Sequence, residues 1–157
     1  MTRFMPVLAA LVVLAAGATA VAEEPYWVIA PGEGIGGARL GLAPDQIEGS
    51  LAEIPCPRWA FTTAFGGNGL VSIGTACGGA VRLESGVQVG SAFEKVIRQF
   101  GRPDPALIAE DARYDQAVAY WVPYPDVGIA FRVVVYEGDV TVQSIRVMRA
   151  TVLSAQP

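Results

Sequence analysis

Few residues in this chain have the chemistry for catalysis, and histidine is not among them. Without it, the Ser-His-Asp and Cys-His arrangements of nucleophilic catalysis are excluded in their usual form. A serine–lysine pair would have to use Lys95, the only lysine, which falls in a short amphipathic run and reads as a solvated side chain. Glu110, Asp111 and Asp115 form a small acidic cluster. Two carboxylates can hydrolyse a glycosidic bond, and several can ligate calcium through oxygen. Neither an EF-hand spacing nor a glycine–aspartate repeat is present, so the cluster reads as a solvated loop, where acidic residues usually lie. Gly32, Gly34 and Gly37 satisfy the letter of G-x-G-x-x-G. That motif holds a pyrophosphate only where its last glycines open a helix. Here Pro31 stands before the glycines and the next helix is expected only near Pro44, so 32–37 reads as a connecting loop. The sequence therefore points to a non-enzyme with no cofactor and no metal.

Cys56 and Cys77 are the only cysteines. An even count in an exported chain reads as one disulfide, with two buried free thiols as the alternative. Tetrahedral zinc wants four ligands and is disfavoured.

The residues best suited to binding lie in Tyr120-Trp121-Val122-Pro123-Tyr124-Pro125 and among Arg132, Arg146 and Arg149. Tyrosine, tryptophan and arginine dominate the energetic centres of protein interfaces. The candidate binding residues are therefore Tyr120, Trp121, Tyr124, Arg132 and Arg146. A purely structural reading competes: on an alternating strand one of Tyr120 and Trp121 faces the core, the prolines end the strand, and the arginines are the wet side of a half-buried sheet.

Two helices and several strands must position these groups. Pro44 and Asp45 suit a first helical turn. Ile47, Leu51 and Ile54 then recur at helical spacing until Pro55. In 89–104, Ser91 and Glu94 suggest a capping box, and Val96 and Phe100 an apolar stripe that Pro103 ends. The two stretches align, with Val89-Gly90 matching Leu40-Gly41, at a displacement of about 50 residues that suggests duplication. Strands are expected at 26–30, 58–65, 70–76 and 81–83, then at 114–122, 127–136 and 140–149. Val127, Ile129, Phe131, Val133 and Val135 alternate with smaller or polar residues, the period of a strand. The expected fold is α+β: two helix-then-antiparallel-strand units, with the helices packed on one face of a β-sheet. A single domain over 23–157 would hold repeats at about 26–84 and 85–153.

The N-terminus has Arg3, an apolar run over 7–16 and Ala20-Val21-Ala22 before Glu23. This reads as a signal peptide over 1–22. The run is short for a spanning helix, which needs about 20 residues. The expected location is periplasmic or secreted, with no stable membrane insertion after cleavage. A formal net charge of -4 without a basic stripe argues against nucleic acid as a partner.

The segment Ile35-Gly36-Gly37-Ala38-Arg39-Leu40-Gly41-Leu42, with its Pro-Asp-initiated helix, resembles a segment of small exported bacterial proteins. So do Phe100-Gly101-Arg102-Pro103, Gly128-Ile129-Ala130-Phe131 and the Gly138-Asp139-Val140 start of the last strand. The pattern is similar to the tandem units of the β-lactamase inhibitor protein superfamily and to the outer-membrane assembly lipoproteins that share that architecture. The resemblance implies a non-enzymatic scaffold whose concave sheet binds another protein. It departs from the lipoproteins, since no lipid-anchoring cysteine is present, and it carries over no binding residues. The expected function is thus an exported protein-binding module acting on an unidentified envelope or extracellular protein. The alternative is a small-ligand carrier or sensor, and a carboxylate enzyme acting on cell-wall sugar stands third.

Overall fold

The computed structural model describes residues 25–151. The segment 1–22, expected to be a signal peptide, and the tail 154–157 lie outside the described residues. Among the described residues, ten strands and two α-helices follow one another. They are β1 (Trp27–Ala30), β2 (Gly34–Ile35), β3 (Ala38–Arg39), α1 (Pro44–Ala52), β4 (Phe61–Gly66), β5 (Gly69–Thr75), β6 (Val81–Arg82), α2 (Phe93–Phe100), β7 (Ala109–Arg113), β8 (Ala117–Tyr124), β9 (Ile129–Tyr136) and β10 (Asp139–Met148). One sheet has the order β3-β2-β1-β6, with β1 and β6 parallel. The other has the order β4-β5-β10-β9-β8-β7 and is antiparallel throughout. Among the described residues no helix is long and apolar enough to cross a membrane.

This corrects the expected α+β architecture. Strands make up 43% of the described residues, in two sheets, and the larger sheet curls into a half-barrel. The helices are 9 and 8 residues long and bury one or two side chains each: Ile47 and Leu51 from α1, Val96 from α2. Elements so short cannot cover a sheet face, so the chain is not two helix-then-strand units with helices layered on a sheet. Instead the larger sheet wraps a single core, with Phe131, Ile129, Ile145 and Ile73 meeting Ile29, Ile35 and Ile47. The strand order lends no support to a duplication: strands from 61–75 and 109–148 pair within one sheet, through Ile145 against Thr75.

The reasons are local. On β9, Ile129, Phe131 and Val133 point inward and Ala130, Arg132 and Val134 outward, as the two-residue strand period requires. Glu137 and Gly138 both have positive φ, the backbone of the two-residue turn whose twist suits a hairpin. β8 runs through Pro123, which sequence reasoning had ending it. β7 pairs only as far as Trp121, so the missing N–H of Pro123 removes no ladder bond on that side. Within the 32–37 loop Gly34–Ile35 form β2, and a turn at 36–37 leads into β3. Ser91 is not the cap of α2, which begins after Ala92 with no side-chain cap. The backbone there pairs with β10 instead, Gly90 N–H to Val142 O at 2.7 Å and Val142 N–H to Ser91 O at 2.9 Å. That pairing fixes α2 where β5 has ended.

Cys56 and Cys77 form a disulfide, their Cα atoms 6.2 Å apart. It ties the segment after α1 to the end of β5.

Candidate functional site

The outer face of the larger sheet carries a row of polar and aromatic groups across four strands. Trp121 on β8 lies directly opposite Arg132 on β9. Arg132 in turn faces Ser144 on β10. Arg146, two residues along β10, pairs with Ala130. The small Ala130 leaves the indole room to reach across β9, and the Arg146 guanidinium stacks over the Trp121 ring at 4.2 Å from its centroid.

Asp111 closes the row. The register of β7 against β8 shifts between Glu110 and Ala112, an extra residue that aims Asp111 at the outer face. Asp111 Oδ1 accepts from Trp121 Nε1 at 3.2 Å, and Oδ2 accepts from Arg132 Nε at 2.6 Å. The Arg132 side chain is 17% exposed and that of Asp111 34%, so water screens this pair only partly. The hydrogen bond from Arg132 is the main reason the Asp111 carboxyl titrates below its ordinary value, aided by the Trp121 N–H and the positive field of Arg146. Burial alone would lower the Arg132 pKa; hydrogen bonds to Asp111 and Tyr114 outweigh it and hold the guanidinium above its ordinary value. The row is thus ionised and braced at neutral pH.

Beside it lies a small notch of about 170 Å³, walled by Trp59, Trp121 and Arg146, with Gly74 and Thr62 along its floor. A Cβ at Gly74 would stand 2.6 Å from Thr62 Oγ1, so any larger residue here would have to displace that side chain. Trp59 sits in a single 3-10 turn, Arg58–Ala60, and is 79% exposed.

Of the five candidate binding residues, the structure brings Trp121, Arg132 and Arg146 together on this outer face. It places Tyr120 and Tyr124 on the opposite side of β8, toward the core. Tyr124 is 8% exposed, donates its hydroxyl to Gly101 O at 3.0 Å, and packs against Phe100 and Phe131. Burial raises its pKa. Pro123, Tyr124 and Pro125 also line a separate groove of about 440 Å³ with Phe100, Leu107 and Arg102. Arg149 falls beyond β10 and is exposed.

Sequence reasoning missed Asp111 and Trp59 as members of this surface. Of the acidic cluster Glu110, Asp111 and Asp115, read as a solvated loop, Glu110 and Asp111 lie on β7 and Asp115 lies beyond it. Both carboxylates of that strand are engaged: Glu110 pairs with Arg113 at 2.8 Å, as Asp111 does with Arg132. No unpaired acid–base couple arises from them. Among the described residues no group of three or more metal-ligating side chains comes together. In comparisons with known proteins, no family model matches this chain, and neither a curated protein nor a solved structure matches it.

Proposed function

We propose that this chain is an exported, non-enzymatic module that binds another protein through the outer face of its larger sheet, in the periplasm or outside the cell. The observation that carries this is the braced row Asp111–Arg132–Trp121–Arg146, with the exposed Trp59 beside its notch. Tryptophan and arginine are the residues that anchor interfaces. Here they are held in place before any partner arrives, which lowers the entropy cost of binding. Arg146 stacks on an indole and, among the described residues, makes no ion pair of its own beyond its field at Asp111, so an acidic side chain entering the notch is the complementary group. The export half of the proposal rests on the 1–22 pattern, and a disulfide fits an oxidising compartment. The resemblance to exported inhibitor and assembly proteins supports binding as the mode of action, although the face used here is the outer one.

The test uses the purified protein as bait in extracts of its own organism's envelope and culture medium. One protein retained by the wild type and lost with both Trp121→Ala and Arg146→Ala, each still folded by circular dichroism, is the expected result. Equal retention by the variants, or nothing retained, removes the proposal.

One observation favours a second reading. The groove beside Tyr124 has a volume within the range of small-molecule sites, which runs from ~300 Å³ upward. A ligand that co-purifies in native mass spectra and leaves on Leu107→Arg would support a carrier; bare chain only would end that reading.

A further inference from the structure

The larger sheet has two edge strands, β4 and β7, and they differ in kind. Open edges invite pairing with another chain, and proteins usually guard them with charge. β7 is guarded: its five residues include Glu110, Asp111 and Arg113, and it carries a bulge. β4 is not. Its sequence is Phe-Thr-Thr-Ala-Phe-Gly, and no charged residue occurs anywhere from 59 to 81. Three exposed large apolar side chains gather on this same hairpin and its approach: Trp59, Phe65 at 41% and Val71 at 44%.

The free groups of the edge can be read from the ladder. Ala76 N–H donates to Ala60 O at 2.7 Å. The pairing runs on through Phe61 with Thr75, Thr62 with Gly74 and Thr63 with Ile73. In an antiparallel ladder the residues alternate between facing the partner and facing away. Thr62 therefore spends its backbone groups on β5, while Phe61 and Thr63 turn theirs to the open side. The Phe61 carbonyl points that way but already accepts from Arg58 Nη1 at 3.3 Å, which leaves Thr63 as the open residue of the edge.

We propose that β4 pairs antiparallel with β4 of a second copy of this chain, about a two-fold axis at Thr63. A two-fold interface must be complementary to itself. Phe61-Thr62-Thr63-Ala64-Phe65 meets that condition by residue type. About Thr63, Phe61 lies opposite the partner's Phe65, Thr62 opposite Ala64, and Thr63 opposite itself. The Thr63 pair exchanges N–H···O bonds reciprocally, since both members face the open side. The half-exposed Phe65 gains a buried aromatic neighbour in Phe61, an arrangement that favours strand pairing. Two molecules of net charge -4 repel one another, and an uncharged edge is where that repulsion is least. A six-residue strand buries less than the roughly 1,200 Å² of a stable interface, so the dimer is a weak one that forms at micromolar concentration.

Sedimentation velocity of the purified protein from low to high micromolar concentration reads this directly. The expected result is a shift from monomer to dimer, together with concentration-dependent protection of the Thr63 amide in hydrogen exchange. Thr63→Pro removes the outward N–H, a change an edge strand tolerates, and should weaken dimerisation by at least ~10-fold, or about 1.4 kcal/mol. Thr63→Lys restores a guard and should do the same, so the proposal stays testable if the proline variant fails to fold. A monomer throughout the range overturns the proposal. So does a dimer that survives both variants or leaves the Thr63 amide exchanging freely.

Discussion

The Trp121–Arg146 stack is the most direct physical claim made for the outer face, and a double-mutant cycle measures it. Trp121→Ala, Arg146→Ala and the double variant would each be unfolded in urea and followed by far-ultraviolet circular dichroism, which does not depend on the indole being removed. The guanidinium stands 4.2 Å from the ring centroid. Cation–π contacts contribute ~0.5–1 kcal/mol when exposed and about 2 kcal/mol when desolvated. Both side chains here are partly exposed, which selects the lower range. The expected coupling is therefore about 0.5–1 kcal/mol, a factor of roughly 2 to 5 in the unfolding equilibrium. The single variants will cost more than this, because Trp121 also loses its bond to Asp111; the cycle cancels that loss. Arg146→Lys keeps the charge but not the flat guanidinium, and should retain only part of the coupling. A coupling indistinguishable from zero would mean that the stack is a coincidence of two side chains, and the case for a braced row would fall with it.

Three further outcomes follow from the fold. Replacing both cysteines by serine should cost about 3 kcal/mol, the chain-entropy value for their 21-residue separation, visible as a lower urea midpoint; a loss under about 1 kcal/mol would mean the bridge closes a loop already ordered when unfolded. Asp111 and Glu48 are held below their ordinary carboxyl values by hydrogen bonds from Arg132 and Arg58. Their stabilising contribution is complete above the unfolded carboxyl pKa, near ~4, and is lost as pH falls through the lower folded values. Asp111→Asn should therefore flatten the acid limb of a stability–pH curve and leave its neutral limb unchanged in slope; an unaltered acid limb would contradict the pairing. Gly128 has φ +78°, and a Cβ there would strike the Met148 carbonyl and stand 2.7 Å from Gly32 Cα. Gly128→Ala should destabilise by at least about 1–3 kcal/mol in thermal melts, and a neutral result would show that this crossing of three segments can open.

What the sequence made legible was periodicity. The β9–β10 hairpin lies open in the alternation from Ile129 to Val135 and in Glu137-Gly138. The same period puts Trp121 and Arg132 on one face and Tyr120 and Tyr124 on the other, once β8 is known to run past Pro123. What stayed hidden was pairing between distant strands. Nothing local tells Ser72 that it will face Met148, or Trp27 that β1 will run parallel to β6. Two-residue strands such as β2 and β3 have no period to detect. β7, with two acids and an arginine in five residues, has weak strand propensity and is a strand because β8 offers it an edge. The α+β expectation came from giving two short amphipathic runs the weight of covering helices. Trp59 was placed on a strand, where alternation would have buried or exposed it by rule, but it stands on a 3-10 turn to which that rule does not apply.

If β4 pairs across a two-fold axis, the two binding faces become parts of one continuous sheet. From β10 of one copy to β10 of the other, five steps are crossed: to β5, to β4, to the second β4, and back out. At about 4.8 Å per step, the two Arg146 positions stand roughly 24 Å apart along the sheet. A partner presenting two acidic groups at that spacing would bind both rows, and the second contact would be made at the high effective concentration that a shared scaffold supplies. The Thr63→Pro variant should then keep the affinity of a single row for an immobilised partner at low density and lose only the slow dissociation seen at high density. Dissociation that slows equally for wild type and variant as density rises would separate the two proposals, leaving the binding face without the dimer. Loss of all binding in a folded Thr63→Pro chain would place the contact on the β4 edge itself, and so argue against the outer-face row as the site.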